Sequence, residues 1–171
     1  GIIRMGTILG EGMPEKTAAN IFIERGLRGE SITPFRHSMY RPMLYVDIED
    51  VCMAYREFAT KILNGVFEKR GNSIEHVFNI YYPKPITILE LAGIVRMAII
   101  KQSRGKIKPK IEIVDTGLPP LFTEEDVKMI KVDISKLKNL LGIRELKSPE
   151  ESINEIVKKR IQKYKINRNH E

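Results

Sequence analysis

The chain has 171 residues, 42% hydrophobic and 30% charged, the composition and length of one globular domain able to bury a sizeable core. A single cysteine, Cys52, excludes an internal disulfide framework and a Cys-rich zinc site, and the most apolar stretch, Ile94 to Ile100, is too short for a membrane span. The formal charge is +7, concentrated between Lys101 and Lys110 and in a tail over 158–171, without the interleaved aromatics of a base-stacking platform. The basic runs therefore read as solvated faces, and neither membrane nor nucleic acid is expected as a partner. Without a recognisable leader the expected location is cytoplasmic. The wealth of Ile, Lys and Glu resembles proteins from hot environments.

Gly1 to Met5 reads as a buried strand that starts at once, as in a fragment of a longer protein. Pro14 opens a helix running to about Gly29, with Ala18, Ile21, Phe22 and Leu27 on its apolar side. Ser31 to Phe35 is a short strand and Arg41 to Val46 a second extended piece. Asp47 caps a helix through about Leu63 whose inner face is Val51, Ala54, Tyr55, Phe58 and Ile62. A polar loop, Asn64 to His76, leads to a strand at Val77 to Ile80. Thr87 and Glu90 form a capping box ahead of a helix carrying Ile88, Leu91, Val95 and Ile99. Ile111 to Val114 alternates as a strand, Asp133 caps a short helix ending at Gly142, and Ser148-Pro149-Glu150-Glu151 starts a last helix. Its stripe is Ile153, Ile156, Val157, Ile161 and Tyr164. Strands alternating with helices define an α/β layered domain.

Several chemical motifs fail on inspection. Gly10 to Thr17 ends in Lys-Thr like a phosphate-binding loop, but Glu15 stands where Gly must precede Lys16, and Pro14 has no N–H to offer. Gly6, Gly10 and Gly12 lack the dinucleotide spacing. His37, His76 and His170 have no metal-ligand spacing to one another or to Cys52, so no metal site is expected. Arg41, placed before the apolar Met43-Leu44-Tyr45-Val46, has two readings: a bidentate partner for phosphate, or an ion pair with Asp47.

The order of pieces resembles the C-terminal half of an NAD-dependent epimerase/dehydratase, the extended short-chain dehydrogenase/reductase branch that acts on nucleotide sugars. Arg4 to Gly12 is similar to that family's R-x-x-N-V-Y-G-P-G segment. Gly29 to Phe35 followed by Arg41 to Val51 is similar to its G-x-x-I-x-I-F/Y and R-x-F-x-Y-V elements. Val77 to Ile80, Ile88 to Ala92, and Asp126-Val127 with Asp133 to Lys136 and Leu141-Gly142 follow in the family's order. The resemblance spans about 150 of the residues.

That resemblance implies the last strands and helices of a Rossmann-like sheet plus a small C-terminal substrate-binding lobe, with residues 1–171 as one C-terminal part of a larger domain. It implies a nucleotide-sugar substrate, of the kind a UDP-glucose 4-epimerase takes: Arg41 on the diphosphate, Phe35 on the nucleobase, Thr33 and Pro34 beside it, Thr7 facing the sugar or a phosphate, and Lys128 the nearest cation to a second phosphate position. Met5 and Gly6 fall near the nicotinamide of an NAD held mainly by an N-terminal half, which is expected as a partner together with, or in place of, a second copy. The family's second phosphate-binding Arg is replaced by Met129, and its G-x-G turns by Arg36-His37-Ser38 and Tyr82-Pro83-Lys84. No Y-x-x-x-K pair and no G-x-x-G-x-x-G loop occur in the chain, so it is expected to be inactive alone. The competing reading is a non-enzymatic basic module that binds nucleic acid or assembles with another protein.

Overall fold

The computed structural model describes residues 1–67 and 77–168, with side chains described as far as Lys163. The loop residues after Phe67, His76, His170, the side chain of Tyr164 and the end of the basic tail lie outside the described residues.

Among the described residues, six short strands and five α-helices follow in the order β1 (Ile2–Met5), β2 (Thr7–Leu9), α1 (Ala18–Leu27), β3 (Pro42–Met43), β4 (Tyr45–Asp47), α2 (Ile48–Leu63), β5 (Val77–Ile80), β6 (Ile86–Thr87), α3 (Ile88–Gln102), α4 (Asp126–Met129) and α5 (Pro149–Arg168). The strands pair two by two: β1 with β5 and β2 with β4 in parallel, β3 with β6 antiparallel. Parallel pairs joined through helices confirm the α/β class.

Two apolar centres hold these layers. One lies where α1, α3 and α5 pack, through Phe22, Ile23, Leu91, Val95, Ile99 and Ile153. In the other, Val51, Ala54 and Phe58 of α2 cover Phe78 and Ile80 of β5, beside the π-helical turn Leu137–Leu141. Phe58 meets Phe78 edge to face at 5.2 Å, and Phe78 is fully buried, so truncating it to Ala costs roughly 3–5 kcal/mol.

The expected caps form. Asp47 accepts from the Glu49 N–H at 2.8 Å. Thr87 and Glu90 make both bonds of their capping box. Ser148 and Glu151 satisfy each other's N–H groups in the same way. Asp133 accepts from Ser135 N–H, and Gly142 ends its turn at φ +76°.

Several expectations need correction. The helix after Pro14 starts only at Ala18: Thr17 bonds back to the Pro14 carbonyl and becomes the N-cap. Its buried side is Ala19, Asn20, Phe22, Ile23 and Gly26, with Ile21 outside, because Ile99 of α3 packs directly over Gly26. Ser31 to Phe35 and Ile111 to Val114 form no continuous strands but two parallel bridges, Ile32 to Ile111 and Phe35 to Val114, since Pro34 has no N–H for the ladder. β1 is only half-buried, Ile2 being exposed, because among the described residues it has a neighbour on one side alone. On α2, Tyr55 and Ile62 point outward, and the polar Asp50 is buried in their stead.

Candidate functional site

Gly6 is the hinge of the site. β1 pairs with β5 while β2, one residue further, pairs with β4, so the chain changes partner within a single residue. The Thr7 N–H donates to the Leu44 carbonyl at 2.8 Å, and any Cβ on Gly6 would collide with that carbonyl. Met5, Gly6 and Thr7 are thereby placed at the carboxyl end of β1, where two parallel pairs diverge. In open α/β folds that divergence leaves the crevice that takes ligands.

The other candidate residues lie in the segment 31–41. The Pro34 carbonyl accepts from the Val114 N–H at 3.0 Å, which fixes the chain entering a single 3₁₀ turn, Arg36–Ser38. Phe35 keeps 48% of its surface exposed and stacks on His37, ring centroids 5.8 Å apart. His37 is itself held by Thr116 Oγ1 at 3.1 Å and by its carbonyl, which accepts from the Leu121 N–H, so it is structural. Arg36 pairs with Asp115. Across the turn, the Arg41 N–H donates to the Ser38 carbonyl, while the side chain is exposed and enters no ion pair among the described residues.

The Asp47 alternative for Arg41 does not form. Asp47 is 5% exposed and faces Lys147 Nζ at 3.6 Å, and Lys147 also bonds Glu49 and Glu155 at 2.9 and 3.0 Å. These contacts hold the Glu49 carboxyl below its ordinary range and the Lys147 ammonium above its own. Arg41 instead lies near the Tyr45 phenol: burial raises that group well above its ordinary value, and the Arg41 charge opposes the rise. Sequence reasoning misses Lys147, because Asp50 and Lys147, bonded side chain to backbone, stand 97 positions apart and no local pattern connects them.

Lys128 sits on α4 with its ammonium on the Glu125 carboxylate, at 2.7 and 2.9 Å, and Met129 beside it is exposed. Its segment reaches the Phe35–Arg41 turn through Leu121 and through Tyr40, whose phenol is raised by its hydrogen bond to Glu124. The structure thus joins Met5 to Ile80 of β5 and Thr7 to Leu44 and Tyr45, and sets Phe35 and Arg41 on either side of one turn. It leaves Lys128 neutralised at the margin.

The described residues do not build a dinucleotide cradle. The space a side chain would fill at Gly6 is taken by Leu44 and that at Gly10 by Ile48, so these glycines serve chain packing. Among the described residues no group of three His, Cys, Asp or Glu side chains is placed to hold a metal ion, and no helix is long and apolar enough to cross a membrane. A cavity of about 610 Å³ lies between α1 and α5, lined by Asn20, Arg28 and Arg160 among others, and includes none of the residues above.

No protein-family model and no curated protein matches this sequence. Solved structures do. The UDP-glucose 4-epimerase of Thermotoga maritima, solved with UDP-glucose, superposes with a TM-score of 0.60 at 25% identity, over 94% of this chain and 45% of its own. A UDP-glucuronic acid 4-epimerase from Bacillus cereus, solved with UDP-glucuronic acid and NAD, gives 0.59 at 21%, over 92% and 45%. A dTDP-glucose 4,6-dehydratase from Bacillus anthracis, in complex with NAD, gives 0.58 at 19%, over 91% and 42%. The fold is that of the C-terminal part of such Rossmann-like sugar-nucleotide enzymes, and the chain spans a little under half their length.

Proposed function

We propose that residues 1–171 are the substrate-binding part of an NAD-dependent nucleotide-sugar epimerase or dehydratase. The observation that carries this is the placement of an exposed guanidinium, Arg41, free of any described ion pair, one turn from the exposed ring of Phe35, within a fold whose solved examples hold UDP-sugars. In this reading Arg41 takes the diphosphate as a two-point, charge-assisted partner and Phe35 packs on the base. Thr33 and Pro34 present backbone beside the base. Thr7 offers its hydroxyl to the sugar or a phosphate from the strand junction. Lys128 must leave Glu125 to reach a second phosphate oxygen.

NAD is assigned to the part of the fold that these residues do not span, with Met5 and Gly6 contributing only the edge nearest the nicotinamide. When bound it supplies hydride transfer at a sugar carbon; the described residues bind and orient the other reactant. Turnover then requires that second part, and a cytoplasmic location belongs to the same reading. A reading frame upstream of Gly1 that encodes G-x-x-G-x-x-G and Y-x-x-x-K supports it.

Calorimetric titration with UDP-glucose and dTDP-glucose is the test. Arg41→Ala should weaken binding about 30-fold, the equivalent of roughly 2 kcal/mol, with the melting temperature unchanged because no ion pair is lost. Arg41→Lys should recover part of the loss, an ammonium lacking the planar fork. An unaltered Kd for Arg41→Ala overturns the assignment.

A further inference from the structure

The rings of Phe35 and His37 lie almost parallel, their planes 14° apart and their centroids separated by 5.8 Å. That spacing falls inside the range of about 4.5–7 Å over which offset aromatic stacks attract. His37 covers one face of the Phe35 ring, so the 48% of Phe35 that stays exposed belongs mainly to the opposite face and the rim. Neither residue takes part in the two apolar centres.

The segment from Val114 to Leu121 grips this pair. Val114 donates its N–H to the Pro34 carbonyl at 3.0 Å and accepts from the Arg36 N–H at 2.8 Å, which brackets Phe35 on both sides in the chain. One carboxylate oxygen of Asp115 pairs with Arg36, and the other accepts from the Gly117 N–H at 2.9 Å. Thr116 Oγ1 then meets His37 Nδ1 at 3.1 Å, and the Leu121 N–H closes on the His37 carbonyl at 2.8 Å. The imidazole is therefore pinned at its ring and at its backbone by residues about 80 positions away. Outside both apolar centres, what this pinning fixes is the plane of the Phe35 ring.

We infer that His37 is a positioning residue for nucleobase binding: it touches no ligand, and its pinned ring holds Phe35 in the orientation that offers the open face to the base. The inference rests on the function proposed above, in which Phe35 packs on the base. An exposed phenylalanine without a stacked neighbour samples several rotamers and must give them up on binding, whereas His37 removes that cost in advance. The same turn sets the spacing to the phosphate partner. The Phe35 carbonyl accepts from the Ser38 N–H at 3.1 Å and the Ser38 carbonyl from the Arg41 N–H at 3.0 Å, so ring and guanidinium share one hydrogen-bonded loop with His37 inside it.

Calorimetric titrations of residues 1–171 with UDP and with inorganic pyrophosphate isolate the base, since both present a diphosphate to Arg41 and only UDP has a ring to stack. His37→Ala should weaken UDP binding about fivefold, the ordering cost of one side chain, and leave pyrophosphate binding unchanged. His37→Phe keeps a ring and should recover part of the loss, whereas His37→Asn keeps a polar group for Thr116 without a ring and should not. In a Phe35→Ala background, His37→Ala should no longer affect UDP binding, because the group through which it acts is gone. An unaltered UDP affinity for His37→Ala overturns the inference. So does a loss that persists without Phe35, and so does an equal loss for UDP and pyrophosphate with a lowered melting temperature, the mark of a merely structural residue. Any of these results in a chain whose UDP affinity still depends on Arg41 removes the role of His37 and keeps the proposed function; a chain that binds neither UDP nor pyrophosphate removes both.

Discussion

Replacing Lys147 with Met tests the contact that ties the end of the chain to the site. Its ammonium, 19% exposed, lies 3.6 Å from Asp47 and bonds Glu49 and Glu155, and its backbone N–H donates to Asp50 at 2.8 Å. Methionine keeps the packing of the aliphatic stem, so the loss is electrostatic. The pairs with Glu49 and Glu155 are largely exposed and add little. Asp47, 5% exposed, is the group that suffers. Removing one partner of a fully buried pair costs about 3–5 kcal/mol, but Asp47 keeps its bond from the Glu49 N–H and the favourable end of α2, so about 2 kcal/mol is the expected cost. For a chain of this length that lowers Tm by roughly 4–8 °C. Thermal melts of Lys147→Met, Asp47→Asn and the double variant form the assay, and the double variant should cost clearly less than the sum, because a neutral Asn no longer needs the cation. A Tm within about 1 °C of the parent, or strict additivity, refutes the reasoning.

Asp50 offers the opposite sign. Burial raises its carboxyl above the ordinary range, with Asp47 and Glu49 adding repulsion against the help from Lys147, so Asp50→Asn should raise Tm by about 2 °C at pH 7. A folded pKa above the unfolded one means that the parent gains stability as the pH falls through that interval, so the advantage of Asn should shrink with falling pH and vanish by about pH 3, below the unfolded value; a gain that persists there contradicts this. Gly6→Ala forces a methyl group against the Leu44 carbonyl and should cost roughly 2–3 kcal/mol, read as a Tm drop of several degrees; a neutral result would remove Gly6 as the hinge. Residues 1–171 should show no NAD-dependent turnover of UDP-glucose, and measurable conversion by the purified chain counts against the proposed division of labour. Binding to random DNA should be weak and disappear at moderate salt, as diffuse counterion release requires, whereas tight, sequence-selective binding at physiological salt favours the basic-module reading.

Interactions between residues close together in the chain are legible in the sequence itself. The caps of α2, α3 and α5 and the glycine that ends the Asp133 turn depend on groups a few positions apart, and they form as the local chemistry dictates. The α/β alternation is legible for the same reason: the strand and helix periods are written in consecutive residues. What the sequence does not decide is which side of each element meets which neighbour. An amphipathic pattern places Tyr55 and Ile62 on the apolar side of α2, yet that helix has apolar residues on both sides, and only the position of β5 shows that Val51, Ala54 and Phe58 are the inner set. The same kind of pattern misplaces Ile21 on α1, because Ile99, far along the chain from Gly26, selects the side that packs. Asp47 can choose between Arg41 and Lys147 only in three dimensions, and there proximity favours Lys147, brought in by the loop that leads to α5. Burial and ion pairing are pairwise over the whole chain, so tertiary structure alone settles them, whereas capping and turn chemistry close within one or two turns and can be read in order along the sequence.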